Sequence, residues 1–287
     1  DFGGAKEAAE ALHSRDVRFY EQAEEAIPRL SKEPEYRPVV VGFGPAGMFA
    51  GLYLARAGAR PLILERGTAV EERAAAVERY WKGGSLDENA SVQFGEGGAG
   101  TFSDGKLTTR IGDPRCGFVL REFAAHGAPE DVMIRAKPHV GTDRLREVVK
   151  NIRQEILSLG GEVRFLSKAE NFEIADGKIR AVVVSGERIP ARQVILAAGH
   201  SARETFTMLK SKPLLMEAKP FSAGFRIEHL RADIDRAQYG EFAGHPALGA
   251  ADYQLSAEIG GRCAYTFCMC PGGLVVPAEN EKETIVT

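Results

Sequence analysis

Three glycines at fixed spacing, Gly42, Gly44 and Gly47, form the stretch of this chain most clearly arranged for chemistry, and that chemistry is the holding of an anion. They stand in Val39–Val40–Val41–Gly42–Phe43–Gly44–Pro45–Ala46–Gly47, a β-branched run leading into Gly-x-Gly-x-x-Gly. With a strand before it and a helix after it, this spacing reads as a dinucleotide turn. The first glycine allows the tight bend, the second lets a pyrophosphate approach the backbone, and the third packs helix on strand. The phosphates then meet free N–H groups at the positive end of the helix dipole. Pro61–Leu62–Ile63–Leu64 reads as the next strand and ends at Glu65, 18 positions beyond Gly47, where this arrangement places the carboxylate that binds ribose hydroxyls. An ordinary glycine turn followed by a surface glutamate is the simpler alternative. It does not account for strand, turn, helix, strand and acid falling in one register.

A second glycine-rich stretch runs from Gln93 to Leu107. Gly100 to Lys106 matches the start of a phosphate-binding loop, but Leu107 stands where a magnesium-binding hydroxyl is needed and no buried strand precedes the glycines. The stretch reads instead as backbone that must come close to a flat or phosphorylated ligand, with a flexible glycine loop as the alternative. Among reactive side chains, Cys268, Cys270, His200 and Lys106 are the candidates to assist redox chemistry. Alternation places Cys268 and Cys270 on one strand face, where small packing residues are the simpler reading. Cys-x-Cys has no second pair at structural-zinc spacing, so no metal is expected. Cys116 and His126 read as packing or surface residues, and His139, before a helix, as a surface residue more simply than a substrate contact. No Ser/His/Asp arrangement points to hydrolysis.

These residues need elements to hold them. Ala46–Ala57 reads as the helix after the turn, with Phe49, Leu52 and Tyr53 on its apolar face and Gly58 closing it. A second amphipathic helix is expected over Val70–Trp81, a short one over Asp113–Gly127, and a strong one after Thr142 or Asp143 as cap. In the last, Leu145, Val148, Val149, Ile152 and Ile156 form one stripe, Gly160–Gly161 stops it, and its Arg and Lys residues read as a solvated face. Val163–Phe165 begins a strand. A hairpin of Phe172–Ile174 and Ile179–Val184 follows around Asp176–Gly177. Gln193–Leu196 is a buried strand opening onto Ala197–Ala198–Gly199–His200, where backbone passes close to the nucleotide, and Ser201 caps the helix after it. Beyond Pro213 short alternating segments (Phe221–Ile227, Tyr253–Ile259, Cys263–Cys270, Leu274–Val276, Thr284–Thr287) read as an antiparallel sheet.

The expected fold class is therefore α/β. A Rossmann-like domain over residues 38–212, with a parallel sheet, a β-hairpin layer and a helical insert near 111–136, is followed by a second, mostly antiparallel and truncated β domain over 213–287. Residues 1–37 read as a helical linker or the tail of an upstream domain. The net charge of −3 gives no reason to expect a nucleic-acid or membrane surface, and four cysteines fit reduced, cytoplasmic usage. The longest uncharged run, Pro38–Ala55, is interrupted by Gly42, Gly44, Pro45 and Gly47 and is not a spanning helix. The chain opens on Asp1 and closes on an apparent strand, so it is expected to be part of a longer protein.

Taken together, Val39 to Gly47, Phe94 to Leu107, Lys137 to Asp143, Leu196 to Ala202 and Tyr265 to Gly273 resemble the uncharacterised FAD-dependent (NAD/FAD-utilising) dehydrogenase family, flavoproteins with a glutathione-reductase-like FAD domain. The resemblance runs from about Arg37 onward and turns the dinucleotide into FAD. It implies that Gly42, Gly44, Pro45, Ala46 and Gly47 cradle the pyrophosphate and that Glu65 and Arg66 lie at the adenosine ribose. It also implies that Gly97, Gly98 and Thr101 follow the pyrophosphate and ribityl chain, that Ala169 makes a backbone contact to adenine, and that Ala198 and Gly199 form an Ala-Thr-Gly-like turn with alanine in the threonine position. The family's late Gly-Asp segment, whose aspartate binds the ribityl chain, has no counterpart, since Gly112–Asp113 comes far too early. That segment is expected beyond Thr287, leaving the FAD site short of one wall. The implied activity is an FAD-dependent oxidoreductase on a small-molecule substrate, with NAD(P)H as a transiently docking reductant because no second Gly-x-Gly-x-x-Gly follows a strand, as a separate nicotinamide domain would need. A non-catalytic FAD-binding or regulatory module is the alternative. A flavin-dependent RNA-modifying enzyme is disfavoured by the balanced charge.

Overall fold

The computed structural model describes residues 4–13, 26–103, 105–107, 109, 111–113, 115–134, 140–267 and 269–282. Cys268, His139 and the Thr284–Thr287 segment lie outside the described residues. The chain divides into two compact units, Asp1–Leu214 and Leu215–Thr287.

In the first unit a short helix α1 (Ala5–Ala11) comes before the expected strand–turn–helix: β1 (Val39–Val41), α2 (Pro45–Arg56) and β2 (Leu62–Leu64). Helices α3 (Val70–Trp81), α4 (Arg115–Ala125) and α5 (Thr142–Ser158) follow, then strands β3 (Glu162–Arg164), β4 (Ala169–Ala175), β5 (Lys178–Val184), β6 (Glu187–Pro190) and β7 (Val194–Leu196), and helix α6 (Arg203–Lys210). Strands β3, β2, β1 and β7 form one parallel sheet in that order, with Val40 opposite both Ile63 and Ile195. Period-2 alternation decides what each face of the sheet meets. Val40 and Ile63 join the core made by α2 and α5, with Phe43, Met48, Leu52, Ile152 and Ile156. Val39, Val41, Leu62 and Leu64 join Phe172, Val182 and Val184 of an antiparallel β4–β5–β6 sheet. Three layers therefore sandwich β1, the strand that delivers the glycine turn. The expected hairpin turn Asp176–Gly177 has φ of 55° and 69°, the paired left-handed conformation of a two-residue hairpin. Ser185–Gly186, at 48° and 78°, adds β6 in the same way.

Several local expectations are corrected. On α2 the buried stripe is Gly47, Met48, Gly51, Leu52 and Ala55, while Tyr53 is exposed, because the helix face toward the sheet is set by the glycines that pack on it. Gly51 faces Ile63, whose Cδ1 would stand 2.5 Å from an added Cβ. Neither Thr142 nor Asp143 caps α5: Gly141 holds the cap position with φ 84°, and the Thr142 hydroxyl donates to the Ser103 carbonyl instead. Ser201 likewise does not cap α6. The helix starts after Ala202, and the Ser201 hydroxyl reaches Gln93. Arg153 on α5, read as part of a solvated face, is buried, because acids from two other segments lie against it.

The second unit holds helix α7 (Arg231–Tyr239), which its sequence did not suggest, and one antiparallel hairpin, β8 (Ser256–Ile259) with β9 (Arg262–Tyr265). Asp235 anchors α7, its carboxylate accepting from the Ala251 N–H at 2.7 Å and from Arg231 Nε at 3.1 Å. Phe221–Ile227 and Leu274–Val276 are not strands: among the described residues no neighbouring strand offers the N–H and C=O groups a ladder requires, and Phe225 is 98% exposed.

Candidate cofactor site

At the carboxyl ends of β1, β2 and β7 the chain encloses a cavity of about 380 Å³. Its floor is the glycine turn (Val41, Gly42, Gly44, Pro45, Ala46), one side is Leu64–Glu65–Arg66 with Ser167–Lys168–Ala169, another is Gln93–Phe94–Gly95 with Gly98–Ala99–Gly100, and the rim is Ala197 to Ala202 with Thr205. Parallel strands leave their ligand crevice at this end of the sheet.

The three glycines of the turn answer to different neighbours. Gly42 has φ 100°, and a Cβ there would run into the Ala197 carbonyl. A Cβ on Gly47 would overlap the Gly42 carbonyl oxygen. Both are therefore required by the fold itself. Gly44 is not: an added Cβ would find only the Gly98 Cα, at 3.8 Å, and would stand in the cavity. Gly44 occupies the cap position of α2 in extended conformation, no side chain caps the helix, and its first turn carries no acid. An open backbone at an uncapped helix N-terminus fits a pyrophosphate.

Glu65 is 4% exposed and joins three segments. One carboxylate oxygen accepts from the Phe43 N–H at 2.7 Å, and the other from the Gly67 and Gly95 N–H groups at 2.7 and 3.1 Å. It thus fastens the turn after β1, the end of β2 and the Gln93 loop while remaining in the cavity wall. Arg66 lies beside it with its guanidinium 3.9 Å from the centre of the Phe94 ring and bonded to Glu204 at 3.1 Å. Lys168 holds the other Glu204 oxygen at 3.0 Å. Burial alone would push Glu204 up, but Lys168 and Arg66 hold its carboxyl below the usual range.

Behind the Gln93 loop lies a charged cluster that sequence reading missed. Arg73 of α3, 0% exposed, donates to the Ser91, Glu96 and Val92 carbonyls at 2.9, 2.6 and 2.6 Å. Burial pushes it down to about 9, opposed by Glu65 and Glu96, so it stays charged at neutral pH. Burial also pushes Glu96 up to about 7, against its bond from the Val70 N–H and the nearby Arg153.

Of the residues expected at the site, Gly42, Gly44, Pro45, Ala46, Glu65, Arg66, Gly98, Ala169, Ala198 and Gly199 line the cavity. Gly47, Gly97 and Thr101 lie outside the lining. Gly97 donates its N–H to the Phe43 carbonyl and packs on Thr101 and Val149, and the buried Thr101 hydroxyl donates to the Glu96 carbonyl. Among the redox candidates His200 is at the rim, Lys106 is outside the lining, and Cys270 is exposed in the second unit, off any strand. Ser167, Lys168 and Thr205 are lining residues without a prior expectation. Ser167 and Lys168 lie just beyond β3 and Thr205 on the first turn of α6, but only the order of strands shows that these segments converge with the Gln93 loop. Among the described residues no cluster of His, Cys, Asp and Glu is arranged for a metal ion, and no helix is long and apolar enough to cross a membrane.

The chain is similar to several known proteins. Residues 36–218 match the family model described as pyridine nucleotide-disulphide oxidoreductase, and residues 220–287 match FAD-dependent protein, C-terminal domain-like. An uncharacterized protein of Clostridium beijerinckii is 51% identical over 279 residues, covering 96% of this chain and 52% of the relative. Aklavinone 12-hydroxylase DnrF of Streptomyces peucetius is 30% identical over 161 residues, 52% of this chain and 31% of that protein. Among solved structures, Thermovibrio ammonificans THI4 matches at 20% identity and a TM-score of 0.42, covering 63% of each chain. The chain spans about half the length, or less, of the curated relatives it matches.

Proposed function

Because the chain belongs to the pyridine nucleotide-disulphide oxidoreductase family, we propose that it is the FAD-binding part of an FAD-dependent oxidoreductase acting on a small-molecule substrate. The observation that carries this reading is Gly44: the protein's own packing leaves the space beside it open, at an uncapped helix N-terminus and facing a cavity walled by Glu65. FAD, when bound, supplies the hydride or electron transfer, and the chain supplies position and electrostatics.

In this reading Gly44, Pro45 and Ala46 offer backbone to the pyrophosphate, with Gly42 and Gly47 shaping the turn beneath it. Glu65 and Arg66 sit at the ribose of the adenosine half, and Ala169 offers backbone to the adenine. Gly98 faces the pyrophosphate across from Pro45, and Gly97 and Thr101 fix the course of the loop toward the ribityl chain. Ala198 and Gly199 pass the far side, with His200 at the rim as the candidate to assist proton movement. Lys106, Cys268 and Cys270 remain weaker candidates. NAD(P)H is the proposed reductant, docking transiently, since the second Gly-x-Gly-x-x-Gly, Gly95 to Gly100, follows no strand and lies at the same cavity. The four cysteines, too few for a disulfide framework, fit a reducing, cytoplasmic setting.

The test is optical. The purified full-length protein, supplied with FAD, is expected to be yellow and to bleach on anaerobic addition of NADH or NADPH. A yellow protein that no reductant bleaches would mark a non-catalytic FAD module. A protein that stays colourless overturns the flavin reading itself.

A further inference from the structure

The second loop at the cofactor cavity, Ser91 to Gly98, contains no helix or strand, yet it must present Phe94, Gly95 and Gly98 to the cavity at fixed positions. Its carbonyls from Ser91, Val92 and Glu96 are gathered by one side chain, Arg73, at 2.9, 2.6 and 2.6 Å. That guanidinium is wholly buried and lies 4.7 Å from the centre of the Phe102 ring. The loop's amides are held as well, the Gly95 N–H by Glu65 and the Gly97 N–H by the Phe43 carbonyl. The fit is tight, since an added Cβ on Gly95 would stand 2.6 Å from Arg73 Cδ. A planar fork with several donors suits three separate carbonyls. An ammonium offers a point charge and cannot span them.

We propose that Arg73 is a positioning residue for the cofactor: its fork shapes the Ser91–Gly98 loop so that Phe94, Gly95 and Gly98 form the second wall of the dinucleotide cavity. This rests on the FAD reading for its consequence in binding, but the brace on the loop stands independently of which ligand the cavity takes.

Both parts are tested with Arg73→Lys, which keeps the charge without the fork, and Arg73→Met, which removes both. Phe102→Leu withdraws the ring that Arg73 shares with Arg146 and Trp81. Val77→Ala, a buried position one turn along the same helix whose apolar side chain can donate no hydrogen bond, serves as a control for plain destabilisation. Hydrogen exchange on the apo protein is expected to speed up selectively at the amides of residues 93–98 in both Arg73 variants, and less in Phe102→Leu. Val77→Ala should leave those amides as protected as in wild type. FAD titration is expected to show about tenfold or greater loss of affinity in Arg73→Lys and Arg73→Met, against a change within about twofold in Val77→Ala. Unchanged loop exchange in the Arg73 variants overturns the brace. Faster exchange with undiminished FAD affinity overturns the positioning role. Loss of affinity in Val77→Ala equal to that in Arg73→Lys also overturns it, reducing Arg73 to a core residue like any other. If wild type itself takes up no FAD, the FAD reading and the positioning of that cofactor fail together, while the exchange data still decide whether Arg73 braces the loop.

Discussion

Gly44 and Gly47 are three positions apart and chemically identical, yet they answer to different forces. A side chain at Gly47 collides with the Gly42 carbonyl, so Gly47→Ala is expected to destabilise the ligand-free protein by about 3 kcal/mol in urea denaturation. A Cβ at Gly44 would meet no atom closer than the Gly98 Cα at 3.8 Å and would stand in the cavity, so Gly44→Val should shift apo stability by no more than about 0.5 kcal/mol. The same variant is expected to abolish flavin retention, read as loss of visible absorbance after gel filtration. Unchanged flavin content would place the pyrophosphate elsewhere. Glu65 poses a third residue-scale question, because its carboxylate accepts from three backbone N–H groups. Glu65→Gln replaces one acceptor oxygen with a donor facing another donor. The expected cost is about 2 kcal/mol of apo stability by chemical denaturation, in addition to weaker FAD binding.

Between elements, the far end of α2 from the glycine turn is tied to α4 and α5 by charge. Arg56 forms a fork to Glu122 at 2.6 and 2.8 Å and bonds Glu155 at 2.6 Å, while His126 meets Glu155 at 2.8 Å. The Arg56 hydrogen bond holds Glu155 below its ordinary value of 4.5, against burial, which would raise it. A carboxyl depressed in the folded state contributes stability that is complete above the unfolded value and lost as pH falls through the folded one. Arg56→Met is therefore expected to lower stability by about 2 kcal/mol at pH 7 by leaving Glu122 without its partner. The same variant should show a shallower further loss below pH about 4.5 than wild type, measured by urea denaturation across pH. An identical acid profile in the variant would show that the cluster does not couple these helices.

For the molecule as a whole, the division at Leu214 and Leu215 separates a layered unit from one in which an exposed hairpin and a single helix are the regular elements described. Backbone outside regular structure and open to solvent is where proteases cut. Limited proteolysis is thus expected to cut first within residues 211–230, leaving a resistant fragment that contains the glycine turn. First cuts within β4–β5–β6 would contradict that ranking.

Much of this architecture is carried by local pattern. The β-branched run into Gly42, the α3 boundaries at Val70 and Trp81, the α5 stripe from Leu145 to Ile156 and the turn at Asp176–Gly177 each follow from periodicity or from a conformation that few residues adopt. The same is true of Gly42, Gly44, Gly47 and Glu65, whose spacing is itself the signal. What could not be read locally depended on a partner distant in sequence. Phe221–Ile227 has the alternation of a strand and lacks one to pair with among the described residues, and Arg153 and Ser201 took partners on other segments in place of solvent and a helix cap. Arg73 is the clearest case. In sequence it is one charged residue in an amphipathic helix, and only folding brings it beneath three carbonyls from 18 to 23 positions away, because a buried guanidinium is tolerated only where acceptors converge on it. The sequence by itself determined the glycine turn and the layered fold around it. The tertiary structure decided which buried charges hold the cavity's second wall in place, since that depends on which loops the parallel strands bring together.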